Sequence, residues 1–133
     1  MSQDTTAYGF ERRLEHTTVA QALERVTAAL KVEGFGILTQ IDVKETLKQK
    51  LDVDFRRYLI LGACNPLLAH RALSIDPQVG LLLPCNVVVQ ESGDGVTVSI
   101  ADPRAMFTVS GNQALAPIVK EAEQRLRRVV TAL

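Results

Sequence analysis

Cys64 and Cys85 are the side chains of this sequence best suited to nucleophilic, redox or metal chemistry, and each stands beside an asparagine and a proline. The local strings are Cys64-Asn65-Pro66 and Pro84-Cys85-Asn86. Asn65 followed by Pro66 reads as a helix entrance, since Asn accepts a free backbone N–H and proline at the first helical position has none to lose. A thiol just before such an entrance would meet free N–H groups and the positive end of the helix dipole. Both stabilise a thiolate and lower its pKa. Cys64 would then be a redox-active, acylatable or metal-binding thiol. The competing reading is a small core side chain at a crowded strand end, because unpaired cysteine is among the most buried residue types. Cys85 carries the same two readings. Its sulfur approaches that of Cys64 only if its strand starts beside the end of the earlier one. A disulfide further needs Cα atoms closer than about 7 Å.

Around this pair the other polar residues are weaker candidates. Cys64, Cys85 and His70 would supply three zinc ligands with an open position for water, but their spacing matches no recognised zinc pattern. An ordinary helix histidine explains His70 as well, and His16 is weaker still. Asn65 and Asn86 could hold polar groups of a ligand, although Asn65 already has work as a cap. Asp76 and Asp102 each precede proline and read as turn and cap residues. Asp42 and Glu45 read as helix-start capping rather than as paired acid and base. Gly34-Phe35-Gly36 is no phosphate loop, since a dinucleotide fingerprint needs a third glycine between a strand and a helix. Neither a phosphate-loop lysine motif nor a Gly-x-Ser-x-Gly elbow occurs. No catalytic set and no cofactor follow from the residues.

The elements that must position these residues are legible from periodicity. Tyr8 to Leu14 forms a first strand. Thr18 and Gln21 make a capping box before a helix with Val19, Ala22, Leu23, Val26, Ala29 and Leu30 on one face, closed by Gly34. Phe35 to Ile41 is a short strand, and Asp42 caps a helix expected to bury Val43, Leu47 and Leu51. Arg57 to Ala63 is a nearly continuous apolar run, the pattern of a strand buried on both faces. The helix from Pro66 ends near Ser74, before Asp76-Pro77. Leu81 to Gln90 and Val96 to Ala101 flank Ser92-Gly93-Asp94-Gly95, a β-hairpin. Asp102-Pro103 opens one short helical turn. The last helix carries a stripe of Leu115, Ile118, Val119, Ala122, Leu126, Val129, Val130 and Leu133, with Pro117 in its first turn. The order β-α-β-α-β-α-β-β-α predicts an α+β fold, a two-layer α/β sandwich. Its sheet of about five strands is expected to be mixed, with parallel pairing from the strand–helix alternation and antiparallel pairing from the hairpin.

Composition bounds the partners. The 133 residues make a single domain, 1–133, of ordinary apolar and charged content. Fifteen basic and fifteen acidic side chains cancel, so no global field draws the chain to nucleic acid or an anionic membrane. Lys120, Arg125, Arg127 and Arg128 make the last helix basic near its end, where cations complement the dipole and glutamates interleave. Four Phe, two Tyr and no Trp leave few stacking platforms for bases. No run of about 18 apolar residues exists to span a bilayer. Met1 to Arg13 is acidic and polar where a signal peptide needs apolar residues, and two cysteines are too few for a secreted disulfide scaffold. These readings place the chain in the cytoplasm, with no nucleic acid, no membrane and no cofactor.

From Phe35 to Val89 the chain resembles the small bacterial and archaeal family called domain of unknown function 302. The resemblance rests on Gly62-Ala63-Cys64-Asn65-Pro66, on Ala69 to Leu73, on Asp76-Pro77, and on Gly80 through Pro84-Cys85-Asn86 to Val89. It implies a two-layer α/β fold and a homodimer, and no activity. The resulting expectation is a domain that dimerises and binds a small molecule or a protein partner through a groove beside the Cys64–Pro66 turn. The alternative is a thiol-dependent redox or metal-binding function centred on Cys64 and Cys85.

Overall fold

Apolar residues on alternate positions of five consecutive-in-space strands, and on one stripe of each of two long helices, bury one another in a single layer between sheet and helices. A computed structural model of the chain describes residues 3–133. Met1 and Ser2, the first residues of the acidic and polar stretch Met1 to Arg13, lie outside them. The strands are β1 (Gln3–Thr5), β2 (Gly9–Leu14), β3 (Gly36–Asp42), β4 (Tyr58–Cys64), β5 (Cys85–Ser92) and β6 (Gly95–Ala101). The helices are α1 (Val19–Val32), α2 (Val43–Leu51), α3 (Pro66–Ile75), α4 (Pro103–Phe107) and α5 (Ala116–Thr131), with a 3₁₀ segment over Pro77–Leu82. The fold is α+β, and the anticipated element order holds, with β1 added to it and the short helical turn expected after Asp102 present as α4.

The sheet order is β1-β2-β6-β5-β4-β3, and every neighbouring pair is antiparallel. This corrects the expectation of mixed pairing; the sheet of about five strands stands, with the three-residue β1 added at one edge. The reason lies in where the helices run. Only α1 carries the chain across the sheet, joining β2 to β3, which point the same way but have three strands between them. By contrast, α2 joins neighbouring antiparallel strands β3 and β4, and α3 does the same for β4 and β5. Each returns the chain at the sheet end where it left, so neither makes the crossover that parallel neighbours require.

Local signals explain the helices that hold this sheet. The Thr18–Gln21 capping box is present in both directions, and Val19, Ala22, Val26 and Leu30 of α1 are buried. The α5 stripe buries Ile118, Leu126, Val129 and Val130. Both pack on the sheet face formed by Phe10, Leu61, Val87, Val89, Val98 and Ile100. Each such fully buried side chain stabilises the fold by roughly 1.5–3 kcal/mol. Arg12 sits on the same side and donates from Nη1 to the carbonyls of Val130 (3.1 Å) and Thr131 (2.8 Å), tying β2 to the end of α5. A second small core joins α3 to α5 through Leu68, Ala72, Val79, Leu115 and Ile118. The hairpin turns at Gly93, whose φ of +61° needs glycine. One helix departs from its expected burial. No residue of α2 is buried: Val43 and Leu47 are half-buried, and Leu51 is 65% exposed.

Candidate functional site

Antiparallel pairing of β4 with β5 brings the end of one strand beside the start of the other, so Cys64 and Cys85 do reach the same place. Cys85 pairs with Ala63, the residue before Cys64. Cys85 shares the core-facing side with Ala63, and Cys85 packs against the core. Both cysteines are free and half-buried. They line an apolar crevice of about 40 Å³ beneath α3 and α5, with Asn65, Leu68, Phe107 and Ile118 among its walls. That space holds a water or two and no organic ligand.

The electrostatics of this turn run opposite to the expectation of an activated thiolate. Burial pushes the Cys64 thiol up. Burial pushes Cys85 up to about 11, with the charge of Cys64 adding to it. The helix-entrance N–H that was to stabilise a thiolate has another acceptor: Leu68 N–H donates to Asn65 Oδ1 at 3.2 Å. Apolar walls penalise the charged form, and no cation lines the crevice to offset this. Asn65 is 7% exposed and also donates from Nδ2 to the carbonyl of Glu33 at 3.3 Å. It is a cap and a tie between α1 and α3.

The zinc reading does not assemble. His70 is exposed on α3 and lies outside the crevice. His16 is exposed and faces Asp94, with Nδ1 3.2 Å from Oδ2. Among the described residues no group of three or more His, Cys, Asp and Glu side chains is placed to hold a metal ion. Asp42, Asp76 and Asp102 accept from Glu45, Gln78 and Arg104 N–H respectively, each capping the element that follows. On α5, Arg125 pairs with Glu121, Arg127 with Glu123 and Arg128 with Glu33, so the basic end is an ion-paired face.

Asn86 lies elsewhere. It is exposed on the sheet face opposite the helices, and this face floors a cleft of about 550 Å³. The floor comes from the alternate residues of four strands. One row across it runs Glu11, Ser99 and Val88, and beside it Gln90 pairs with Tyr58 of β4. The next contains the small residues Gly9 and Ala101, then Asn86, whose partner on β4, the buried Gly62, is covered by Thr39 and Pro84. Neither glycine tolerates a side chain: a Cβ on Gly9 would lie 2.0 Å from the Ile100 carbonyl oxygen. On Gly62 it would meet Thr39 Oγ1 at 2.2 Å and the Pro84 ring at 2.7 Å. Tyr8, Tyr58, Leu82, Met106 and Phe107 supply aromatic and apolar surface around this floor. Tyr8 is 83% exposed.

Of the residues singled out in the sequence, Cys85 and Asn86 line this cleft, although the groove was expected beside the Cys64–Pro66 turn; Glu11, Tyr58, Val88 and Ser99 were not among the candidates. The available signal was the second face of the hairpin: Asn86, Val88 and Gln90 alternate with the core residues Val87 and Val89. A strand face mixing apolar and uncharged polar residues is one that water alone does not explain.

Comparison with known proteins agrees with this architecture. The profile of the family described as domain of unknown function DUF302 matches residues 10–133. The chain is similar to the crystal structure of the uncharacterized conserved protein DUF302 from Bacillus stearothermophilus, with 30% identity and a TM-score of 0.86. The similarity covers 96% of this chain and 98% of that one. No curated protein matches. Among the described residues no helix is long and apolar enough to cross a membrane.

Proposed function

The chain belongs to the domain of unknown function DUF302 family, and from that premise we propose a cytoplasmic, homodimeric binding domain spanning residues 1–133 that takes a small molecule on the open face of its sheet. The observation that carries this reading is the cleft itself. Its volume of about 550 Å³ falls within the roughly 300–1,000 Å³ of small-molecule sites, and its surface is mostly apolar with a few polar groups. The crevice beside the Cys64–Pro66 turn is too small for that role, so the expected groove moves to the other side of the sheet.

A thiol-centred function keeps one supporting observation, the shared strand end of Cys64 and Cys85. Their raised thiols weigh against it. The cleft is therefore the favoured site.

The test uses an apolar alcohol that fits the space, 1-adamantanemethanol. The expected result is saturable binding by calorimetry with a matching rise in Tm. Filling the floor with Val88→Phe and Ala101→Leu should abolish both effects while the variant keeps its native circular dichroism. Undetectable binding to the unmodified protein, or binding that survives the filled floor, would refute the cleft reading.

A further inference from the structure

Resting on that cleft reading, we infer that the ligand class is an amine: one basic nitrogen carried on an apolar body. Glu11 stands directly opposite Ser99 on the neighbouring strand, and Asn86 lies in the adjacent row of the floor. All three line the cleft, and among the described residues none of their side chains has a hydrogen-bond partner. They present a carboxylate, a hydroxyl oxygen and an amide oxygen as acceptors, matching the three N–H donors of a primary ammonium. The cleft lining contains no Lys, Arg or His. Arg13, the next outward-facing residue of β2, is occupied by Glu15 at 2.7 Å, by Asp94 at 3.1 Å and by the Ser92 carbonyl.

A half-buried carboxylate beside apolar walls attracts an ammonium more strongly than it would in bulk water, and the bond is charge-assisted. An anionic ligand would lose its hydration and meet Glu11 with no cation in the lining; the guanidinium of Arg56 stands at the Gln90–Tyr58 edge, where it donates to Gln90 Oε1 at 3.0 Å. A neutral ligand of the same shape gains the apolar contacts alone. The body of the ligand lies on Val88 and Ala101, against the aromatic and thioether surface of Tyr8, Tyr58 and Met106.

Three compounds sharing one cage separate these cases: 1-adamantanemethylamine, 1-adamantanemethanol and 1-adamantanecarboxylate. The chain has two tyrosines and no tryptophan, and both tyrosines line the cleft. Tyrosine emission therefore reports occupancy at this site, with calorimetry giving the affinities. The amine should bind about tenfold more tightly than the carboxylate, with the alcohol between them. Glu11→Gln should bring the amine down to the affinity of the alcohol and leave the alcohol unchanged, and Ser99→Ala should weaken the amine by a smaller factor. Equal binding of all three, or an amine affinity unmoved by Glu11→Gln, overturns the amine assignment while alcohol binding keeps the cleft reading intact. Absence of binding by every cage compound overturns both. A Val88→Phe variant that turns a dimer into a monomer does the same, because the face would then be a contact between copies.

Discussion

Cys85 packs against the core at the start of β5, where desolvation and the neighbouring Cys64 hold its thiol up at about 11, against an unfolded value near 9.0. The folded state thus favours the neutral thiol, and the sign of its pH dependence follows. The stabilising contribution is whole below pH 9, because both states are then protonated. As pH rises from 9 toward 11 the unfolded thiol ionises first, and stability falls by about 2 kcal/mol. Urea unfolding of the native protein and of Cys85→Ala at pH 8 and pH 11 checks this. Tyr and Lys titrations are common to both proteins and cancel in the difference. The stability advantage of the native protein should shrink by about 2 kcal/mol between the two pH values. A constant difference would remove the buried-thiol account. Thiol-reagent kinetics provide a second check: at pH 7.5 both cysteines should react more slowly than a free thiol, and Cys85 should be the slower. A fast Cys64 at that pH would restore the activated-thiolate reading.

At the scale of elements, Asn65 shows how one side chain fixes two helices. Its Oδ1 caps α3 through Leu68 N–H, and its Nδ2 reaches the Glu33 carbonyl at the end of α1. Gly34, beside that carbonyl, has a φ of +85°, and a Cβ there would lie 2.9 Å from Asn65 Nδ2. Asn65→Ala removes the cap and the tie, and should cost about 2 kcal/mol. Asn65→Asp keeps the cap acceptor but loses the donor, so its loss should be smaller. Chemical denaturation ranks the three proteins, and equal losses for both variants would show that the cap carries nothing. This cap was legible because Asn-Pro before an apolar stripe has a local physical meaning. The capping box, the hairpin and the α5 stripe were legible for the same reason. Strand direction was not. A helix between two strands fits either a parallel crossover or a cap over an antiparallel pair, and the choice depends on where the chain lands. α2 and α3 both take the second route, which no spacing within Asp42–Leu51 or Asn65–Ile75 records. The cleft was hidden for a related reason, since its lining draws a few residues from each of four strands that become neighbours only through the sheet order.

For the whole molecule, the unfinished surface is at the β3 end of the sheet. The opposite edge, β1, is three residues long, while β3 is a seven-residue edge strand whose only charge is the terminal Asp42. Natural edges of that length are ordinarily blunted by lysine or proline, and β3 has neither. The register shifts between Ile37 and Thr39, and the residue there, Leu38, is 68% exposed; Thr39 to Asp42 then continue a regular ladder on one side only. Ile41 is 50% exposed, and the neighbouring α2 segment leaves Leu51 and Val53 open as well. Backbone groups without partners and apolar side chains without cover are what a second copy would satisfy. Antiparallel pairing of β3 with its own mate closes under two-fold symmetry, and zero net charge offers no repulsion against it. We therefore place the proposed dimer contact at β3 and keep it separate from the cleft. Sedimentation equilibrium at micromolar concentration should report a dimer, with a Tm that rises with protein concentration. Leu38→Lys combined with Ile41→Lys should give a folded monomer whose Tm no longer depends on concentration, because both side chains are exposed in the single chain. Val88→Phe, on the cleft floor, should leave the dimer unchanged. A native protein that stays monomeric across this range would remove the homodimer, and a dimer that survives both lysines would move its interface away from β3.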